Sequence, residues 1–390
     1  MGEAYIAAAI RTAGGRKGGR LKGWHPADLA AQVLNALVER TGVDPGQVED
    51  VVMGCVGQAG EQAVNVARNA VLASALPESV PGVSVDRQCG SSQQALQFAA
   101  QAVMSGTMDL VIAAGVESMT RVPMGTPSIL AAKAGLGLYK SPAMEARYPG
   151  VMFSQFDGAE MLAAKHDLSR EDLDAFAFES QCKAAAATQG GAFRDEILPV
   201  EVQAEDGSGE LHQVDEGIRF DASLEAMRQV KLLREGGRIS AASASQITDG
   251  AAGLLVASER GLKAAGLEPL ARVHQLSVIG GDPVIMLETP IAATELALRR
   301  AGVSIDDIDL FEVNEAFASV PLAWLKATRA DPERLNVNGG AIALGHPLGA
   351  SGAKLMATLV HALGARGKRW GLLTMCEGGG LANATIVERL

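Results

Sequence analysis

Aromatic side chains are scarce in this chain: phenylalanine, tryptophan and tyrosine together fill 4% of its 390 positions. Its interior therefore has to be built from alanine, glycine and aliphatic residues, which lets helices pack close to sheets with few bulky fillers. Cysteine is scarce too. Cys55, Cys89, Cys182 and Cys376 stand far apart with no CxxC pair, which argues against a zinc site or a disulfide framework and for a reducing compartment. In such a compartment thiols remain free to act as reagents.

Positive charge is also short: 34 basic residues face 45 acidic ones, for a net charge of −11, and there is no dense basic run. That excludes non-specific binding to nucleic acid or to an anionic membrane surface. A phosphate ligand remains open, because a few arginines and helix N-termini bind one against the global charge. No apolar run reaches the ~18 residues of a membrane span. Met1-Gly2-Glu3-Ala4-Tyr5-Ile6 lacks the basic and apolar regions of a secretory signal, and Ile6 breaks the myristoylation pattern. Glu388-Arg389-Leu390 is no address tag, and Gly14, Gly15, Gly18 and Gly19 follow neither GxGxxG nor a Walker pattern. The expectation is a cytoplasmic protein without metal.

What the chain does have is length enough for more than one core, with 48% hydrophobic and 20% charged residues, an ordered composition. Its organisation shows on comparison with itself. Gly42–Gly54 matches Gly302–Asn314 without a gap, and each copy follows an amphipathic stretch, Leu29–Arg40 or Ile291–Arg300. The same offset of 260 pairs Leu110–Gly115 with Trp370–Met375, and lays Cys89-Gly90-Ser91-Ser92 onto Gly349-Ala350-Ser351-Gly352, each opening a helix. A constant offset over three segments predicts two duplicated α/β halves. Their strands Val111–Ala114 and Leu372–Met375 lack polar alternation, as sheets covered on both faces require.

An unrelated middle, roughly Glu117 to Ser245, carries Met- and Pro-bearing loops around Val122–Gly150, an Ala-rich helical stretch Gly158–Gln189 and a polar segment Glu201–Glu216. The apolar run Gly253–Ser258 then returns to complete the first sheet.

Four places could carry chemistry. Cys89 lies between the strand-like Val83–Gln88 and a helix, where the positive dipole end lowers a thiol pKa and a sharp turn exposes the sulfur. A free cysteine there could equally be a small buried hydrophobe. Cys376 ends a strand and runs into Gly378-Gly379-Gly380, whose N–H groups suit a developing negative charge; the alternative is a plain glycine turn. The stretch Asn338–Gly352 is dense in glycine and holds His346, either a base for a thiol or a structural hydrogen-bonder. Asn314, in Asn314-Glu315-Ala316-Phe317-Ala318, follows a repeated strand and could hold a water or merely cap a turn. Cys55 has no neighbouring base, Cys182 is expected in the core, and His25, His166, His212, His274 and His361 are expected to be surface or structural residues.

Taken together, Val85–Ser92, Asn314–Ala318, Gly339–Gly352 and Cys376–Gly380 resemble the thiolase family, the acetyl-CoA acetyltransferases and 3-ketoacyl-CoA thiolases. The resemblance runs the length of the chain and keeps the motif order. It implies two βαβαβαββ halves in a five-layered α-β-α-β-α sandwich with a loop domain inserted in the first. The boundaries expected are 1–118 with 246–266 for the N-terminal half, 119–245 for the inserted CoA-binding domain and 267–390 for the C-terminal half.

By that resemblance Cys89 carries the acyl group as a thioester, His346 activates it and Cys376 is the acid/base. One oxyanion hole comes from the N–H groups of Cys89 and Gly378, the other from His346 and a water on Asn314. The resemblance likewise assigns Arg219 to the CoA nucleotide and Ser245 to the pantetheine, with Ala316, Phe317 and Met286 beside the substrate. CoA is a substrate, and no metal or prosthetic group is implied. The reaction is reversible and ping-pong: 3-ketoacyl-CoA plus CoA gives acyl-CoA plus acetyl-CoA. A large apolar sheet edge in each half suggests a homodimer or homotetramer.

The chain also departs from relatives. Ser92 replaces a common glycine, and Ala242–Gly250 differs from the usual Gly-Asn-Ala-Ser-Gly-containing segment. Ser154-Gln155-Phe156 stands where short-chain enzymes carry His-Met-Gly. With Gly380-Leu381-Ala382-Asn383, this points to a degradative enzyme for medium, long or bulky, even steroid-derived, acyl chains. The alternatives are a biosynthetic acetoacetyl-CoA thiolase, a ketosynthase or HMG-CoA synthase, and a non-catalytic acyl-CoA-binding protein of the same fold. Asn314 in place of a second histidine, and the presence of Cys376, favour thiolase over the condensing enzymes.

Overall fold

Two glycines mark the duplication. Gly42 and Gly302 end the helices Pro26–Thr41 and Thr289–Ala301 in the left-handed region, at φ 69° and 70°, where glycine carries no Cβ penalty. Each is followed by a short turn, Pro45–Gln47 capped by Asp44 or the acidic Ile305–Asp307, and then by a strand, Asp50–Gly54 or Leu310–Val313. The computed structural model describes residues 2–204 and 207–390. Glu205 and Asp206, inside the polar segment Glu201–Glu216, lie outside the described residues.

The first half's sheet runs Gly82–Val85, Asp50–Gly54, Leu110–Ser118, Thr248–Ala257, Ala4–Thr12; the second's runs Leu310–Val313, Trp370–Glu377, Leu381–Glu388, Ala271–Gly280. The order is the same. The counterpart of Gly82–Val85 is reduced to the single parallel bridge Phe311↔Leu335. As expected, the segment after the insertion returns to the first sheet, pairing Leu110–Ser118 along its whole length. The two sheets meet through the antiparallel pairs Ala4↔Val273, Tyr5↔Arg272 and Ile6↔Ala271.

Layering follows from side-chain alternation. Along Leu110–Ser118, Leu110, Ile112 and Ala114 join a core with the outer helices Pro26–Thr41 and Val66–Ala73. Val111 and Ala113 instead face a central core with Leu96, Ala99, Leu355, Met356 and the second sheet's Leu373 and Met375. On the far side Phe311, Leu372 and Ile386 pack under Thr289–Ala301 and Ser319–Thr328. The result is a five-layered sandwich with the helices Ser91–Met104 and Ser351–Ala365 as its central layer.

That central layer positions the site. The two helix N-termini touch: Ala353 N–H donates to Ser92 Oγ at 2.9 Å. A Cβ on Gly352 would collide with the main chain at Gln93, and one on Gly349 would lie 2.6 Å from Cys55 Cα. The glycines of the histidine stretch thus permit backbone contact between the halves, and Ser92 ties them together. From the inserted middle, Gln155–Lys165 and Arg170–Gln189 are helices and Val200–Gln203 pairs with Gly209–His212, while the Met- and Pro-bearing loops contain the short helices Thr126–Lys133 and Pro142–Arg147.

Candidate active site

Cys89 sits on a tight turn between Gly82–Val85 and the Ser91 helix. Gln88, just before it, has φ 50°, uncommon for a residue with a side chain. Ser91 Oγ holds the turn by donating to Gln88 O at 2.6 Å and accepting from Arg87 N–H at 2.9 Å. The thiol lines a cavity of about 740 Å³. Its pKa does not fall as the helix dipole predicted; it is pushed up to about 12, by burial first and the Glu377 carboxylate next. The N–H groups of Cys89 and Gly378 oppose that rise without reversing it. Removal from water outweighs a dipole that acts only through the first turn.

His346 is 3% exposed. Its Nδ1 lies 2.5 Å from Ser351 Oγ, whose own proton goes to Pro347 O at 2.9 Å. Nδ1 therefore carries the ring proton and Nε2 keeps its lone pair. Nε2 faces the Asn314 amide at 3.5 Å. Burial, then the nearby Lys354 charge, depress the imidazole pKa to about 3, so it rests neutral, as a base requires. Asn314 is buried, and its Oδ1 has no protein partner.

Cys376 adjoins this pair, since Asn314 N–H donates to Thr374 O at 3.1 Å on the strand that carries Cys376 near its end. Its thiol is raised well above the usual range by burial, then by Cys89 and Glu377. Cys376 thus senses the Cys89 sulfur.

A short connecting segment gathers the remaining candidates. Ser245 N–H donates to Ala316 O at 2.9 Å, Ala244 bridges Phe317, and Ile247 bridges His346. Gln246 Nε2 reaches Gly217 O and Ile342 O, both at 2.8 Å. Arg219 is exposed on a second cavity with Arg16, Phe220 and Gln246. Met286, strained at φ 59°, lines the first cavity instead, with Gln155, Met124, Phe153 and Leu381. Phe156 turns away to meet Phe317 edge-on at 5.6 Å.

The chain and its fold have known counterparts. The thiolase N-terminal domain matches residues 4–260 and the thiolase C-terminal domain matches residues 267–389. The chain belongs to the thiolase family. It is 51% identical over 395 residues to the steroid 3-ketoacyl-CoA thiolase FadA6 of Mycobacterium tuberculosis, covering 100% of this chain and 95% of that protein. A 3-ketoacyl-CoA thiolase of Escherichia fergusonii is 42% identical over 397 residues, with both chains covered in full. The human mitochondrial 3-ketoacyl-CoA thiolase structure superposes with a TM-score of 0.90 at 34% identity, covering 100% and 99% of the two chains.

Within this thiolase, Cys182 is not a core residue but exposed. The Arg170–Gln189 helix buries Ala177, Ser180, Gln181 and Ala184, and Cys182 falls beside that face. Cys55 is buried, with its thiol raised by burial and then by Glu117. Four of the other histidines hold structure: His25 caps a helix, His212 and His361 bond Ala13 O and Ala9 O, and His166 pairs with Glu288.

Sequence reasoning missed the charged groups behind the site. Arg11 is buried between Glu196, at 2.5 Å, and Asp215, at 2.9 Å. Lys354 stands 3.5 Å from Asp215 and donates to Leu344 O and Gly345 O, the carbonyls before His346. Burial alone would raise the Asp215 pKa, but Arg11 and Lys354 bring it below the ordinary value. Glu315, also buried, accepts from Ser180 Oγ, Asn336 Nδ2 and Ile342 N–H, pinning the inserted domain to the histidine stretch. A charged residue inside an otherwise apolar helix or strand, such as Lys354 or Arg11, was the available signal.

Proposed function

We propose that this thiolase cleaves 3-ketoacyl-CoA with CoA, giving acyl-CoA and acetyl-CoA, and that Cys89, His346, Cys376, Asn314 and Gly378 carry the reaction. One observation carries this reading: a half-buried thiol, faced by the N–H groups of Cys89 and Gly378, opens on a large apolar cavity beside a second thiol. Cys89 Sγ attacks the 3-keto carbon as its proton passes to His346. The C2–C3 bond then breaks, its electron pair goes to the acetyl-CoA enolate, and Cys376 protonates that carbon. The CoA thiol gives its proton to the Cys376 thiolate and attacks the acyl-Cys89 thioester; Cys89 leaves as the thiolate and recovers its proton from His346. The thioester oxyanion is held by Cys89 and Gly378 N–H; the enolate oxygen is held by His346 and a water on the unpartnered Asn314 Oδ1.

CoA is read as lying across the inserted domain, residues 119–245, with its phosphates toward Arg219 and its pantetheine past Ser245, Ala316 and Phe317. Met286 belongs to the acyl end, because it lines the Cys89 cavity. That cavity is walled by Met119, Met124, Tyr139, Met144 and Phe153 and takes a long, branched or polycyclic acyl chain. The open edge strand Gly82–Val85, with Val83 45% exposed, is the surface we assign to homodimer or homotetramer assembly. The test is turnover of acetoacetyl-CoA against a long or branched 3-ketoacyl-CoA. The bulky substrate should give the higher kcat/KM, and a strong preference for acetoacetyl-CoA would refute the assignment.

A further inference from the structure

Glu377 directly follows Cys376 and ends its strand, so alternation turns it to the opposite face, under the start of the Ser91 helix. A Cβ on Gly90 would collide with its carboxyl. Glu377 is 0% exposed, and among the described residues neither oxygen has a hydrogen-bond donor. Its counterpart at the offset of 260, Glu117, is equally buried yet saturated. It accepts from Val56 N–H, Gly57 N–H, Gln62 Nε2 and Gly349 N–H at 2.8–2.9 Å. A buried carboxylate without donors carries the full desolvation cost of its charge, so Glu377 is best accommodated as the neutral acid.

Its surroundings make that state matter for Cys89. Arg87, before the helix, and the Asn383 main chain, on the neighbouring strand, favour the Glu377 charge without reaching hydrogen-bond contact. The thiols of Cys89 and Cys376 both respond to that charge, and Glu117, in the same half as Cys89, adds a weaker push on Cys89. We propose that Glu377 is a positioning residue for acyl transfer: its retained proton lets Cys89 surrender a proton to His346, and its ionisation opposes that transfer. The inference rests on Cys89 as the nucleophile.

The test compares the native enzyme with Glu377→Gln and Glu377→Met. The readouts are iodoacetamide labelling of Cys89 between pH 6 and 10, followed by peptide mass, and the pH profile of kcat/KM for thiolysis. Burial pushes Glu377 up to about 8. At pH 9, native labelling and turnover should therefore lag both variants by roughly tenfold relative to their ratio at pH 6. Parallel pH profiles would overturn the proposal, as would native labelling that outpaces the variants at pH 9.

Stability gives a third readout. The native state keeps the Glu377 proton from the ordinary value of 4.5 up to about 8, whereas the unfolded chain loses it. Native stability therefore falls relative to the variants as pH rises through that window, and the Tm gap should widen in the variants' favour. A flat gap, or failure of both variants to fold at pH 9, counts against Glu377. A Cys89→Ala enzyme that still cleaves 3-ketoacyl-CoA would instead sink the nucleophile assignment.

Discussion

The Gly349 turn and the Cys89 turn are the same piece of chain used twice. Each precedes a central helix, and each faces a glutamate that comes from a strand of the other half. At Gly349 the main-chain N–H is taken at 2.9 Å by Glu117, which also binds Val56, Gly57 and Gln62. At Cys89 the corresponding N–H is left to the sulfur, and Glu377 has no donor among the described residues. One half thus fills its helix N-terminus with an internal carboxylate. The other leaves its N-terminus facing the cavity and, among the described residues, carries an acid without donors beside it. Duplication supplies the geometry twice, and donor satisfaction decides which copy is scaffold and which is site.

Substitutions at paired positions break this comparison in opposite ways. Cys89→Ala should cut thiolysis by at least ~10⁴-fold while the protein melts close to the native temperature, since position 89 already carries a Cβ; calorimetry alongside acetyl-CoA release reads both. Glu117→Ala should cost roughly 3–5 kcal/mol in denaturant unfolding, because it strands several buried donors. Gly349→Ala should lose about 3 kcal/mol, because its Cβ meets main chain at Cys55 that cannot retreat. The smallest effect concerns the ligand-facing copy. Arg219→Ala should raise KM for CoA about tenfold, with a smaller change in kcat, and should flatten the salt dependence of KM.

Much of the fold was legible because it is repeated. The offset of 260 is kept by both turns, by the strands that begin at Leu110 and Trp370, and by the helices that begin at Ser91 and Ser351. The absence of polar alternation in Val111–Ala114 followed from helices on both faces, which the structure supplies. Cys89, His346, Asn314 and Cys376 were nameable because each stands in a glycine-rich or strand-terminal context. Cys182 was misplaced because the alanine run Ala184–Ala187 that follows it suggested a buried helix, whereas its own neighbours include Glu179, Gln181 and Lys183.

The state of the thiol was not legible either. Dipole reasoning is local, and it predicted a lowered pKa for Cys89. The opposing influences are burial and Glu377, a residue 288 positions away in the chain. Lys354, which helps keep His346 neutral, reads locally only as a single charge in an apolar helix, with no sign of its partner. That partner is Asp215, which the inserted domain brings within 3.5 Å.

The sequence by itself determined the duplication, the order of strands and helices, and the four motif segments, because these rest on periodicity and on residue types with few conformational options. Only the tertiary structure decided which helix N-terminus is open, which glutamate is satisfied and where each proton rests. Those properties depend on desolvation and on donors that distant segments deliver to one point. Nothing local distinguishes Glu117 from Glu377: the two differ only in what the rest of the chain brings to them.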